Sequence, residues 1–100
     1  MTDLLSQDER ETQLAPLFAN GWTLHETSDA IVKTFVFKDF IAAFGFMTQA
    51  ALRAEKHNHH PEWRNVYNRV EVTLTTHEAD GLTTSDITLA LTLDKFAEKV

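Results

Sequence analysis

The spacing of apolar positions along this chain switches repeatedly between a helical and an alternating period, and each switch marks an element. Ser6-Gln7-Asp8-Glu9 has the S-x-x-E form of a capping box, Leu14, Leu17 and Phe18 follow at helical spacing, and Asn20-Gly21 closes the segment. Pro16 lies inside this first helix and cannot donate to the preceding turn, so a break or kink is expected near Leu14 or Ala15. Trp22 to Glu26 and Ala30 to Phe37 are β-prone runs separated by Thr27-Ser28-Asp29, the pattern of a hairpin. Asp39 is placed to cap a helix that runs to Lys56. At about 100° per residue, Phe40, Phe44, Met47 and Ala51 fall in one narrow stripe of that helix, which is expected to face the sheet.

Glu62 to Val66 and Val70 to Thr76 read as two further strands joined by a turn near Tyr67-Asn68-Arg69. In the second, Val70, Val72 and Leu74 alternate with Glu71, Thr73 and Thr75, so His77 falls on the polar face if the strand runs on. The last helix begins after Gly81, with Thr83 as N-cap, Asp86 three residues on and Leu82 able to staple against Ile87; Leu89, Leu93, Phe96 and Val100 form its buried stripe. The order α-β-β-α-β-β-α implies an α+β fold, a four-stranded antiparallel sheet with three helices packed on one face.

The central helix is apolar around most of its circumference. Ala43, Phe46 and Ala50 make a second stripe and Ile41 and Leu52 extend the other flank, leaving a polar edge around Gln49 and Lys56. One small sheet cannot cover that arc, so the helix predicts burial against another subunit. With 100 residues, 43% hydrophobic content and only three glycines and two prolines, residues 1–100 are expected to form a single domain without linkers. A net charge of -6 argues against direct nucleic-acid binding, which needs clustered Lys and Arg. The apolar run Phe40 to Leu52 is shorter than the ~20 residues that span a bilayer, and the acidic opening with Asp8, Glu9 and Glu11 lacks the character of a signal peptide. A cytoplasmic protein without membrane contact is expected. The lack of cysteine removes disulfides, thiol nucleophiles and thiolate metal sites.

Candidate chemistry is concentrated in Glu55-Lys56-His57-Asn58-His59-His60-Pro61-Glu62-Trp63, followed by Tyr67, His77 and Asp86. Imidazole titrates nearest neutrality, which suits proton transfer or metal binding. The spacing argues against metal: H-N-H-H lacks the i, i+4 arrangement of helical ligands, and His59 and His60 in an extended segment point to opposite sides. No G-x-S-x-G elbow marks a serine nucleophile. General acid and base chemistry remains, with one imidazole from the loop after the long helix, another from the end of the last strand, and Trp63 as an apolar wall. Plainer readings stand beside these: His57 as a solvated residue at a helix end, Pro61 as a stop that holds His60 extended, Asp86 as a capping residue, and Trp63 and Tyr67 as core.

The run Glu55-x-x-x-His59-His60-Pro61, with Tyr67, His77 and Asp86 at these separations, resembles the signature of the pterin carbinolamine dehydratases, also called 4a-hydroxytetrahydrobiopterin dehydratases. Gly21-Trp22, Phe37-Lys38-Asp39-Phe40, Ala43-Phe44-Gly45-Phe46-Met47, Asn65-Val66-Tyr67-Asn68 and Thr76-His77 extend the resemblance over most of the chain. It implies the fold reached from periodicity, assembly as dimers or tetramers, and loss of water from 4a-hydroxytetrahydropterin to give quinonoid dihydropterin, with no metal or organic cofactor. It further implies His59, His60 and His77 as catalytic residues and Glu55, Pro61, Trp63 and Asp86 as substrate-binding. The pathway partner it implies is an aromatic amino acid hydroxylase. A second implied role is dimerisation cofactor for a transcription factor, through Phe44, Phe46, Met47 and Ala50 of the central helix.

Overall fold

The structure, a computed structural model, describes residues 3–100. Met1 and Thr2, where the acidic opening begins, lie outside the described residues. The elements are α1 (Gln7–Ala19), β1 (Thr23–Leu24), β2 (Ile31–Val36), α2 (Phe40–Lys56), β3 (Glu62–Val66), β4 (Arg69–Leu74) and α3 (Thr84–Glu98), with a single 3-10 turn at His77–Ala79. The strands form one antiparallel sheet in the order β1-β2-β4-β3, so α2 carries the chain out of one central strand and on to the edge strand β3. The order of elements and the antiparallel sheet are those expected from the sequence.

Registration sorts the sheet into two faces. Ile31, Lys33 and Phe35 lie opposite Leu74, Val72 and Val70, and Trp63 lies opposite Val72, so these residues share the face toward the helices. Glu62, Glu71 and Thr73 occupy the other face, which carries no helix. The core is built around Phe46 of α2, whose ring lies 4.8 Å from that of Phe35 and 5.0 Å from that of Phe37, with Trp22 edge-on to Phe35. Inward-facing Lys33 is accommodated by Asp94 of α3, 2.8 Å away; the same carboxylate accepts from Trp22 Nε1 and Asn20 Nδ2. Among the described residues no helix is long and apolar enough to cross a membrane.

Four local expectations are corrected. The first helix runs unbroken through Pro16, because Pro16 and Thr12 are exposed and water can take the carbonyl that proline leaves without a donor. The first hairpin is paired regularly over only Thr23 and Leu24 of its first run, since His25 Nδ1 turns to accept from Thr27 N and begins the loop. Strand β4 ends at Leu74, and His77 opens the 3-10 turn instead of extending the strand. On α2 the buried stripe is Ala43, Phe46, Ala50 and Ala54, whereas Phe40 and Phe44 are about half exposed and Ala51 is exposed. Alanines let the helix backbone approach the sheet more closely than a row of phenylalanines allows.

Candidate active site

Three separate histidine–carboxylate pairs are set around the junction of the loop after α2, the end of β4 and the start of α3. Asp39 starts α2 by accepting from Ala42 N at 2.8 Å, and His57 ends it as the C-cap. Asn58 then turns the chain with φ 52, within the left-handed region that asparagine tolerates better than most residues. This reversal directs His59 inward. Its Nε2 lies 2.6 Å from Asp86 Oδ1, and the ring is mostly buried.

Asp86 is held from every side. Its Oδ2 accepts from Thr76 Oγ1 at 2.8 Å and from the Thr83 backbone N–H at 3.0 Å, and the Thr76 and Thr83 hydroxyls are 2.7 Å apart. The residue is 0% exposed, and among the described residues no buried side-chain polar atom lacks a partner. A carboxylate only accepts, so His59 Nε2 carries the hydrogen of their bond. A neutral His59 ring then keeps the Nδ1 lone pair free, a fixed tautomer of the kind a general base requires. Capping therefore does not exhaust Asp86: the capping oxygen is Oδ2, and Oδ1 is left for His59. In the single chain both Asp86 oxygens are engaged and the residue has no exposed surface, so its contact with the cleft runs through His59.

His60 and His77 are paired differently. His60 Nε2 is 3.0 Å from Glu55 Oε1, and both residues are exposed. His77 Nε2 is 2.9 Å from Glu62 Oε2, also in solvent, on the sheet face away from the helices. Adjacent His59 and His60 thus take separate carboxylates, in keeping with side chains that diverge from an extended segment. His77 is tied to the same junction through its neighbour Thr76, which bonds Asp86. His59 and His77 nevertheless line different clefts. One, of about 210 Å³, is bordered by Arg53, His57, His59, Thr84, Ser85 and Thr88. The other, of about 230 Å³, includes His25, Asp29, Glu62, Thr75, His77 and Asp80.

Pro61 is half-buried and fixes the extended backbone between His60 and β3. Trp63 is half-buried and packs against the core on the helix-facing side, opposite to Glu62 and His77, so its structural reading accounts for most of its surface. Tyr67 is 61% exposed at a turn with φ 50, so its expected place in the core is also corrected. Among the described residues no group of three or more His, Asp or Glu side chains is arranged to hold a metal ion. Sequence reasoning missed the Thr76 and Thr83 hydroxyls as the support of Asp86, and it missed His25 and Arg53 as cleft residues. The i, i+4 relation of Arg53 to His57 on α2 was the available signal for the last.

The model of the family described as Pterin 4 alpha carbinolamine dehydratase matches residues 3–96. A Roseobacter denitrificans protein, named provisionally as a pterin-4-alpha-carbinolamine dehydratase, is 56% identical over 97% of this chain and 99% of its own length. The Drosophila melanogaster pterin-4-alpha-carbinolamine dehydratase is 56% identical over 93% of this chain and 48% of its own. The crystal structure of a Brucella melitensis protein, described as a transcriptional coactivator/pterin dehydratase, superimposes with a TM-score of 0.88 at 49% identity, covering 94% of this chain and 98% of that one. The chain belongs to the pterin 4 alpha carbinolamine dehydratase family, and its similarity to named members supports the corresponding dehydratase activity.

Proposed function

We propose that this dehydratase works by histidine acid and base catalysis on 4a-hydroxytetrahydropterin, without metal or organic cofactor. The C4a–O bond breaks as the hydroxyl oxygen gains a proton and leaves as water. The N5 electron pair forms the new C=N bond, and the N5 proton is lost, giving quinonoid dihydropterin. The observation that carries this reading is the His59–Asp86 pair, at 2.6 Å with Asp86 fully buried, which supports His59 with Nδ1 free as the base. The acid is then His60 or His77, whose exposed rings can be reprotonated from solvent. Glu55 orients His60, and Pro61 with the exposed edge of Trp63 supplies an apolar border to the substrate.

The reading extends to pterin recycling in the cytoplasm, with an aromatic amino acid hydroxylase supplying the carbinolamine, and to a homo-oligomer, dimer or tetramer. The exposed apolar face of α2 supports the oligomer: Ile41 is 82% exposed and Leu52 69%. The same face, together with the coactivator description of the Brucella relative, favours a second reading as a protein-binding module.

Dehydration of synthetic 4a-hydroxytetrahydropterin, followed by ultraviolet absorbance in the presence of chelator, tests the enzyme reading. Wild type is expected to accelerate the reaction, and His59→Ala and at least one of His60→Ala and His77→Ala to lose about 100-fold or more with the fold retained. Full activity in His59→Ala, or in both His60→Ala and His77→Ala, refutes the assignment.

A further inference from the structure

Arg53 is not used by the chemistry above, yet it borders the same cleft as His59. The geometry points to an oxyanion subsite in the cleft between the last turn of α2 and the first turns of α3, where Arg53 and His57 receive a phosphate or carboxylate beside His59.

The chain carries fifteen acidic and nine basic residues, yet none of the residues bordering this cleft is a carboxylate. The charged and titratable groups there are Arg53, His57 and His59. Arg10 and Lys33 are neutralised by Asp29 and Asp94, whereas the Arg53 guanidinium has no carboxylate within 4.0 Å among the described residues. Nearby Glu55 is engaged with His60. Arg53 is positioned by the ring of Phe96, 5.6 Å from its guanidinium carbon, which leaves its N–H fork open for planar recognition of an oxyanion. Across the cleft, the hydroxyls of Thr84, Ser85 and Thr88 have no protein hydrogen bond among the described residues, while Thr92 spends its own on the Thr88 carbonyl. A volume of about 210 Å³ exceeds the ~15 Å³ one water needs, so the cleft admits an oxyanion and part of whatever carries it.

The oxyanion comes either as a substituent on the pterin or as free phosphate, and the chemistry that binds it is shared. Phosphate binding is read without turnover, so its outcome is independent of the acid and base assignment. Inorganic phosphate is titrated into ¹⁵N-histidine-labelled protein at constant ionic strength, and the imidazole signals of His57 and His59 are followed. Saturable shifts are expected in wild type, weakened about tenfold or more in Arg53→Gln, a loss of ~1.4 kcal/mol. Arg53→Lys is expected to recover part of the binding, and Ser85→Ala, which leaves the guanidinium in place, to weaken it less. A linear response without saturation, or equal binding in wild type and folded Arg53→Gln, overturns the proposal. The source is separated by KM for pterins with neutral and phosphorylated side chains. A lower KM for the phosphorylated compound, lost in Arg53→Gln, assigns the oxyanion to the substrate; equal KM values with saturable phosphate binding assign it to the free anion.

Discussion

Asp86 carries out two tasks with one carboxylate, and each oxygen has its own partners. Oδ2 faces the donors Thr76 Oγ1 and Thr83 N, and Oδ1 faces His59 Nε2. In Asp86→Asn the amide oxygen must stay with the two donors, because an NH2 there would oppose the Thr83 N–H. The NH2 group then points at His59 and requires Nε2 to accept, which moves the ring hydrogen to Nδ1. The expected result is a folded protein with a rate reduced about 100-fold or more and a changed His59 tautomer in its ¹⁵N shifts. A normal tautomer with a normal rate removes Asp86 from the mechanism as a positioning residue. Residue identities alone made His59, His60, His77 and Glu55 legible as a cluster, since their chemistry is distinctive. Their division into three separate carboxylate pairs was not legible, because partners such as Asp86 and Glu62 are chosen by the meeting of distant elements. Thr76 and Thr83 carry no chemical signature until burial makes each hydroxyl a required donor or acceptor.

Among elements, the connections before α3 depend on Asp29 in the loop between β1 and β2. Its carboxylate takes a two-pronged ion pair from Arg10 of α1, at 2.9 and 2.6 Å, and accepts from Leu82 N at 3.0 Å. Gly81 is required beneath it, because a Cβ there would run into the Asp29 carboxylate and Leu4. The Arg10 hydrogen bonds foremost, then the Leu82 N–H, hold the Asp29 carboxyl below its ordinary value of 3.8 despite the opposing effect of burial. A carboxyl depressed on folding contributes stability that is present above its unfolded pKa and lost as pH falls through the folded one. Asp29→Asn is therefore expected to cost about 1 kcal/mol at pH 7, given the solvent screening of a partly exposed pair, with the difference shrinking below about pH 4. Urea unfolding across that range checks it, and a difference that stays constant to pH 2 contradicts the linkage. This tie was hidden in the sequence because Arg10, Asp29 and Leu82 are separated along the chain. Capping at Ser6, Asp39 and Thr83 was legible because each signal is local. The orientation of α2 was misread because the helix is apolar nearly all round, and size favoured the phenylalanines where close approach to the sheet selected alanines.

At the scale of the whole molecule, the same α2 leaves Phe40, Ile41, Phe44 and Leu52 exposed on its outer side, with Phe40 and Phe44 in contact at 5.7 Å between ring centres. A patch of this kind on one helix is unusual for a monomer in water and fits burial between copies of the chain. Choosing the probe depends on the observed face. Phe46 was a sequence candidate for the interface, but it is 0% exposed at the centre of the core, so Phe46→Glu tests folding instead of assembly. Ile41→Glu and Phe44→Glu place the charge in solvent, at sites 82% and 55% exposed in the single chain, and both are expected to retain the circular dichroism of wild type. Light scattering should show wild type as a dimer or tetramer and either variant at a smaller mass. A monomeric wild type, or an unchanged mass in both variants, rules out α2 as the interface. Where dissociation occurs, dehydratase turnover in the separated subunits decides whether the histidine junction is complete within one chain. Retained turnover makes the α2 surface available for partner capture without loss of chemistry; lost turnover makes assembly a condition of catalysis and ties the enzymatic and binding readings to the same surface.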